Sequence, residues 1–192
     1  MTRVIFNTAT TLDGYLADDA DSLSWLFGVP GADEATSDFP DFLTTIGAIV
    51  MGSTTFEWVV RHEDLLTKPE KWQDFYGGRL CVVMTTRKLP AIDGADIRFH
   101  AGPVTDICCE LQEAAGDRDV WVVGGGDLVG QFADAGLLDE IRVSIAPVTL
   151  GSGRPLLPRR LESDRLTLES ARKAGQFAEL VYSVGRPDRS RG

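Results

Sequence analysis

The chain has 192 residues, of which 43% are hydrophobic and 25% charged, with a formal net charge of −10. That is the size and balance of one globular unit with its own apolar core. It excludes a disordered chain and, with no apolar run near the roughly 18 residues that a bilayer demands, a membrane-spanning helix. The acidic excess repels a phosphate backbone, so nucleic acid is not an expected partner.

Residues 2–8 (TRVIFNT) are rich in β-branched and aromatic residues and read as a first strand, turning polar at Asn7 too early for a signal peptide. A long loop from about residue 9 to 35 follows, marked by Asp13-Gly14, Asp18-Asp19 and Pro30-Gly31, and loops of this length tend to carry function. Asp38-Phe39-Pro40 predicts a short helix with Asp38 as N-cap. Ala48-Ile49-Val50-Met51 predicts a strand buried on both faces, and Ser53 caps a helix whose apolar face carries Phe56, Val59 and Val60. The same order of strand and turn recurs at Leu80–Met84 before Thr85-Thr86-Arg87, and at Val120–Val123 before Gly124-Gly125-Gly126. A helix from Val104 to Ala115, carrying Ile107 and Leu111, lies between them. Near-continuous apolar strands alternating with helices imply an α/β fold with a mostly parallel sheet.

From Leu138 the pattern changes. Glu140–Ile145 and Leu166–Glu169 alternate as half-exposed strands do, and residues 164–173 and 176–184 predict an antiparallel hairpin turning at Ala174-Gly175. Residues 186–192 read as a flexible tail, leaving 1–185 as a single domain. Three cysteines, with Cys108 and Cys109 adjacent, make neither a disulfide framework nor a zinc pattern. Reduced thiols, a cytoplasmic location, no metal and surface positions for His62 and His100 are expected.

In a parallel sheet, ligands bind beyond the carboxyl ends of the strands. Gly52-Ser53-Thr54-Thr55 offers a helix N-terminus and three hydroxyls, suited to a phosphate or equally to plain helix capping. Thr85-Thr86-Arg87-Lys88 adds two hydroxyls and two cations, which fit either a phosphate monoester or a solvated turn. Gly124-Gly125-Gly126 allows close backbone approach, yet a G-x-G-x-x-G reading fails at Val129. Trp25 and Phe27 on the long loop, with Phe39 and Phe56, are candidates for holding a flat heterocycle, or for the core.

Four segments in order, Thr11-Leu12-Asp13-Gly14, Val50–Glu57, Val122–Gly126 with Leu128 and Phe132, and Pro147–Leu156, resemble the motif set of the RibD C-terminal family within the dihydrofolate reductase-like superfamily. The resemblance covers residues 2 to about 184. It implies a mixed, mostly parallel sheet flanked by helices with a C-terminal antiparallel hairpin, and a reductase that passes hydride from NADPH to a folate-like or ribosylaminopyrimidine-like substrate. Carried over, Gly52, Ser53, Thr54 and Thr55 meet the cofactor phosphates, and Thr85, Thr86 and Arg87 the adenosine side. Gly124, Gly125, Gly126 and Leu128 follow the pyrophosphate and nicotinamide ribose, while Thr10 and Thr11 approach the nicotinamide. The proton donor falls among Glu34, Asp38 and Asp41, with Asp38 preferred and Asp13 as a second candidate. A homodimer paired through the C-terminal strands is also implied. Two alternatives stand beside this reading: a nucleotide-binding module without turnover, and a flavin- or deazaflavin-binding reductase.

Overall fold

The computed structural model describes residues 2–32 and 36–186. The elements in chain order are β1 (Val4–Thr11), β2 (Tyr15–Ala17), α1 (Ser24–Phe27), α2 (Phe39–Thr44), β3 (Ile46–Gly52), α3 (Ser53–His62), α4 (Glu70–Tyr76), β4 (Leu80–Met84) and β5 (Ile97–His100). They continue with α5 (Thr105–Ala115), β6 (Asp119–Gly124), α6 (Gly126–Asp134), β7 (Glu140–Ala146), β8 (Arg154–Pro155), a 3₁₀ turn (Ser163–Arg165), β9 (Leu166–Ala174) and β10 (Phe177–Val184). Eight strands form one sheet in the order β5-β4-β3-β6-β1-β7-β10-β9. The run from β5 to β7 is parallel throughout, and β10 and β9 close the far edge antiparallel. This is the mixed, mostly parallel architecture that the alternating pattern implies.

Apolar residues fill both faces of the central strands because each face has its own cover. On one face Phe6, Val50, Val82 and Val122 pack with Ile107 and Leu111 of α5 and Val129 and Phe132 of α6. On the other, Ile5, Ile49, Met51, Cys81, Val83 and Trp121 pack with Phe42 of α2, Phe56 and Val59 of α3 and Trp72 of α4. Cys81 is fully buried there, and burial pushes its thiol well above the ordinary range, so it is held as an inert thiol. Arg79 binds the helices of this face to the sheet, donating to the carbonyls of Ile46, Leu43 and Tyr76 at 2.8, 2.7 and 2.7 Å. Among the described residues no helix is long and apolar enough to cross a membrane.

Several local expectations are corrected. The first strand runs three residues further than its composition suggests, to Thr11, and the expected 9–35 loop holds β2 and the short helix α1, so Trp25-Leu26-Phe27 is helical rather than loop. Gly52, not Ser53, occupies the cap of α3, because the strand remains extended through it. Asp38 stands at the cap of α2 but its carboxylate makes no capping bond, being drawn instead to a distant arginine. Strand β9 is exposed on both faces, including Leu168, since it lies at the sheet edge with no helix against it. Glu34 and residues 187–192 lie outside the described residues.

The small sheet of β2 with β8 has no counterpart in the sequence pattern, and it depends on close backbone approach. A Cβ on Gly153 would lie 2.2 Å from the Ala17 carbonyl oxygen, and one on Gly126 would lie 2.2 Å from that of Pro155. Gly47 has the same role in the main sheet, where a Cβ would stand 2.4 Å from the Ala115 carbonyl oxygen at the end of α5. Neither backbone can yield cheaply, so Gly47→Ala is expected to cost about 2–3 kcal/mol, the upper part of the range for overpacking. Urea denaturation of the two proteins measures this, and an unshifted midpoint would show that α5 moves away at no cost.

Candidate functional site

Because β4, β3, β6 and β1 are adjacent and parallel, their carboxyl ends share one edge of the sheet. The segments singled out in the sequence therefore meet in space. Gly52 is paired with Met84 immediately before Thr85, and Met51 with Gly124. The hydroxyl of Thr55 lies 3.1 Å from where a Gly124 Cβ would stand, so the glycine lets the β6 end approach α3. Arg87 donates its backbone N–H to the Thr85 hydroxyl at 2.9 Å, and its guanidinium forks onto Glu57 of α3 at 3.1 and 2.6 Å. No side chain caps the N-terminus of α3 or of α6, which leaves their first-turn N–H groups directed at this edge. Gly125 adopts φ of 85°, a conformation that disfavours any side chain, and the Gly52 Cβ position has open space apart from the Gly124 oxygen at 3.8 Å.

Other predicted contacts are not where the sequence suggested. Leu128 is buried in the core between α6 and the sheet. Thr10 and Thr11 are almost fully buried, and their hydroxyls serve the β1–β2 turn: Thr10 donates to the Tyr15 carbonyl at 3.0 Å, and Thr11 donates to Asp13 at 2.6 Å while accepting the Tyr15 N–H. Asp13 anchors a loop and does not line the cavity on the face of the sheet. Its carboxylate accepts the Thr11 hydroxyl and the backbone N–H groups of Leu150 and Gly151, at 3.0 and 2.7 Å for the nearer oxygen, which holds the 148–153 loop against the β1–β2 turn.

A cavity of about 690 Å³ opens on the sheet face that carries Trp121, beyond the cover of α3 and α4. Its floor is made of side chains from β1, β6, β7 and the C-terminal hairpin, including Asn7, Trp121, Arg142, Ser144 and Glu179, and its walls are Phe27, Phe39, Phe42 and Trp58. Phe27 and Phe39 thus stand where a flat ligand would be held. Phe56 does not: it is fully buried against Trp72 and Phe99, and Trp25 packs under the loop beside Val29 and Phe177. His62 stacks between Phe27 and Trp58, with ring centroids 5.4 and 4.4 Å away, which extends the aromatic wall into a smaller adjoining cavity of about 240 Å³. His100 differs from the exposed position expected for it, since its Nε2 is buried, 3.8 Å from Asp106.

Asp38 lies on the cavity wall, bound to Arg172 of β9 at 2.6 Å, and Arg172 also holds Glu179 at 2.5 Å. Asp41 is exposed on α2 and does not line the cavity. Arg142, Arg172, Glu179, Trp58 and Trp121 escaped the sequence reading. For Arg142 the signal was present in the alternation Glu140-Arg142-Ser144, of which Arg142 and Ser144 line the cavity floor instead of facing open solvent. Among the described residues, no group of three or more His, Cys, Asp or Glu side chains comes together in a way that could hold a metal ion.

Glycine- and hydroxyl-bearing strand ends beside an aromatic cavity, on a mostly parallel sheet closed by an antiparallel hairpin, define a mixed α/β fold with a ligand-sized site next to its strand ends. The model of the RibD C-terminal domain matches residues 103–178. The chain is 31% identical over 158 residues to the Bacillus subtilis protein YyaP, covering 80% of this chain and 79% of that protein. It is 27% identical over 180 residues to YwjB of the same organism, covering 94% and 97%. A riboflavin biosynthesis protein, RibD of Corynebacterium ammoniagenes, is 28% identical over 164 residues, and the match spans 83% of this chain and 47% of that protein. Among solved structures, a riboflavin biosynthesis protein homologue from Shewanella sp. PV-4 superposes with a TM-score of 0.75 at 23% identity, over 97% of this chain and all of that one. A pyrimidine reductase-like protein from Corynebacterium diphtheriae superposes with a TM-score of 0.63 at 16% identity, over 97% and 93%. The chain belongs to the RibD C-terminal domain family.

The three hydrogen bonds to Asp13, the largest effect coming from the Thr11 hydroxyl, hold its pKa below the ordinary aspartate value. A depressed folded-state pKa stabilises the fold above the unfolded value and loses that stabilisation as the pH falls through the folded one. Asp13→Asn is therefore expected to lower the urea midpoint at neutral pH, with the gap from wild type closing below about pH 4. A gap independent of pH would mean that the carboxylate's charge is not what anchors the loop.

Proposed function

We propose that this chain is an NADPH-dependent reductase that delivers hydride to a small flat heterocycle held in the face cavity. One observation carries the reading: the phosphate-suited strand ends and the aromatic cavity adjoin on the same strands. Val123 lines the cavity and Gly124 follows it, while the β1 side of the cavity ends at Ala9, two residues before the strand does.

The residues at the strand ends fit an extended dinucleotide. Gly52 and Gly125 leave backbone surface open, Ser53, Thr54 and Thr55 bring hydroxyls to the α3 N-terminus, and Arg87 is a forked cation of the kind that grips a phosphate monoester. A bound nicotinamide would supply the hydride. The protein's part is to bind, orient and keep the ring plane dry, and to place one proton source. Asp38 is the most exposed carboxylate on the cavity wall and can exchange protons with solvent, while Glu179 is more enclosed. The relatives named for riboflavin biosynthesis and pyrimidine reduction favour a nitrogen heterocycle as the acceptor.

A second reading, a nucleotide-binding module without turnover, draws support from the ion pair that occupies Asp38. Cofactor oxidation with a panel of pterins, flavins and ribosylated pyrimidines separates the two, since steady turnover eliminates the module. A yellow purified protein would instead favour a flavin.

Calorimetric titration is expected to show micromolar or tighter binding of NADPH and weaker binding of NADH. Arg87→Ala should reduce the preference for NADPH about tenfold or more, as the loss of a charge-assisted hydrogen bond does. An unchanged preference would remove Arg87 from the adenosine side. Asp38→Asn should lower kcat by about 10²-fold, the lower end for general acid catalysis, with the Kd for NADPH unaltered. Unaltered kcat would assign the proton to solvent.

A further inference from the structure

The charges around the face cavity are spent on one another, and this bears on what the cavity can accept. Among the described residues lining it, the cations are Arg142 and Arg172 and the anions Asp38 and Glu179. Arg172 is bound by both carboxylates, at 2.6 and 2.5 Å. Arg142 pairs through its Nε with Glu140 just behind the wall, and its guanidinium lies 5.4 Å from the Phe42 ring centroid. Two cations and two carboxylates line the cavity, and Glu140 behind it is held from its other side by Arg3 at 2.8 Å, so the cluster is balanced and paired within a chain whose net charge is −10. A phosphate monoester, with about two negative charges near neutral pH, meets the repulsion of the whole chain and finds the lining cations already paired, so it gains a partner only where a cation is released from its own.

The remaining surface is largely aromatic and aliphatic. Phe27, Phe39, Phe42, Trp58 and Trp121 enclose a volume within the range of sites that bury a small ligand, and Asn7 and Ser144 on the floor supply an amide and a hydroxyl for orientation. We propose that the cavity selects an uncharged, flat, ring-bearing substrate and discriminates against its phosphorylated counterpart. The charge pattern thereby separates this chain's substrate from any sugar-phosphate-linked heterocycle. The inference rests on the reductase reading only in treating this cavity as the substrate site.

The test is calorimetric titration, without nucleotide, of matched pairs differing by one phosphate: neopterin and its monophosphate, uridine and its 5′-monophosphate, riboflavin and its 5′-monophosphate. At least one unphosphorylated member is expected to bind, with its phosphorylated partner at least tenfold weaker. Phe39→Ala should weaken that binding. Glu179→Gln, which releases part of Arg172, should narrow the ratio within the pair at least threefold. Three outcomes overturn the inference: equal or tighter binding of the phosphorylated member, no binding by any unphosphorylated member at millimolar concentration, or binding that Phe39→Ala leaves unchanged. Each can occur while NADPH still binds at the strand ends, so failure here is distinct from failure of the reductase reading.

Discussion

The constraint on which the rest depends is that six adjacent parallel strands point the same way. Parallel pairing sends each carboxyl end to one edge, so segments distant in sequence, at residues 52–55, 85–87 and 124–126, become neighbours without any direct attraction between them. The cost is that both faces need apolar cover. The chain supplies it with α5 and α6 on one side and α2, α3 and α4 on the other. On that second side the cover stops at Trp121, and what lies beyond is cavity rather than core.

The cavity is thus a place where the packing rule is only partly met, roofed by α1 and α2 and tied at its mouth by charge. Arg172 reaches from the edge strand to Asp38 at the start of α2 and to Glu179 on the neighbouring strand. An ion pair this exposed contributes little to stability. Its effect is positional, setting where the roof meets the hairpin and neutralising the cation nearest the opening.

The sheet and its strand ends were legible in the sequence because their signals are local. Ala48–Met51, Leu80–Met84 and Val120–Val123 are unbroken apolar runs, and each is followed by the small or hydroxyl-bearing residues that a strand end near a ligand requires. The small β2–β8 sheet was not legible, since β8 is two residues long and is held by Asp13 and by backbone approach at Gly126 and Gly153. Neither device has a periodicity. The cavity floor was misread for a related reason. An alternating strand shows which residues share a face but not whether that face meets water, and Arg142 and Ser144 meet the cavity. Phe56 shows the converse, an aromatic beside a phosphate-suited turn whose helical position turns it into the core.

The place of β1 in the sheet has a consequence for how the protein is made. The strand lies between β6 and β7, pairing Val4 with Val120 and Ile5 with Glu140, although it is the first strand in the chain. At a synthesis rate of about 5–20 residues per second, roughly 5–20 s separate the appearance of β1 from that of β6. Throughout that interval Val4, Ile5 and Phe6, all buried in the finished sheet, have neither strand partner in existence. An apolar strand therefore waits unpaired in the nascent chain, and it can be enclosed on both sides only after β6 and β7 have been made, more than a hundred residues downstream.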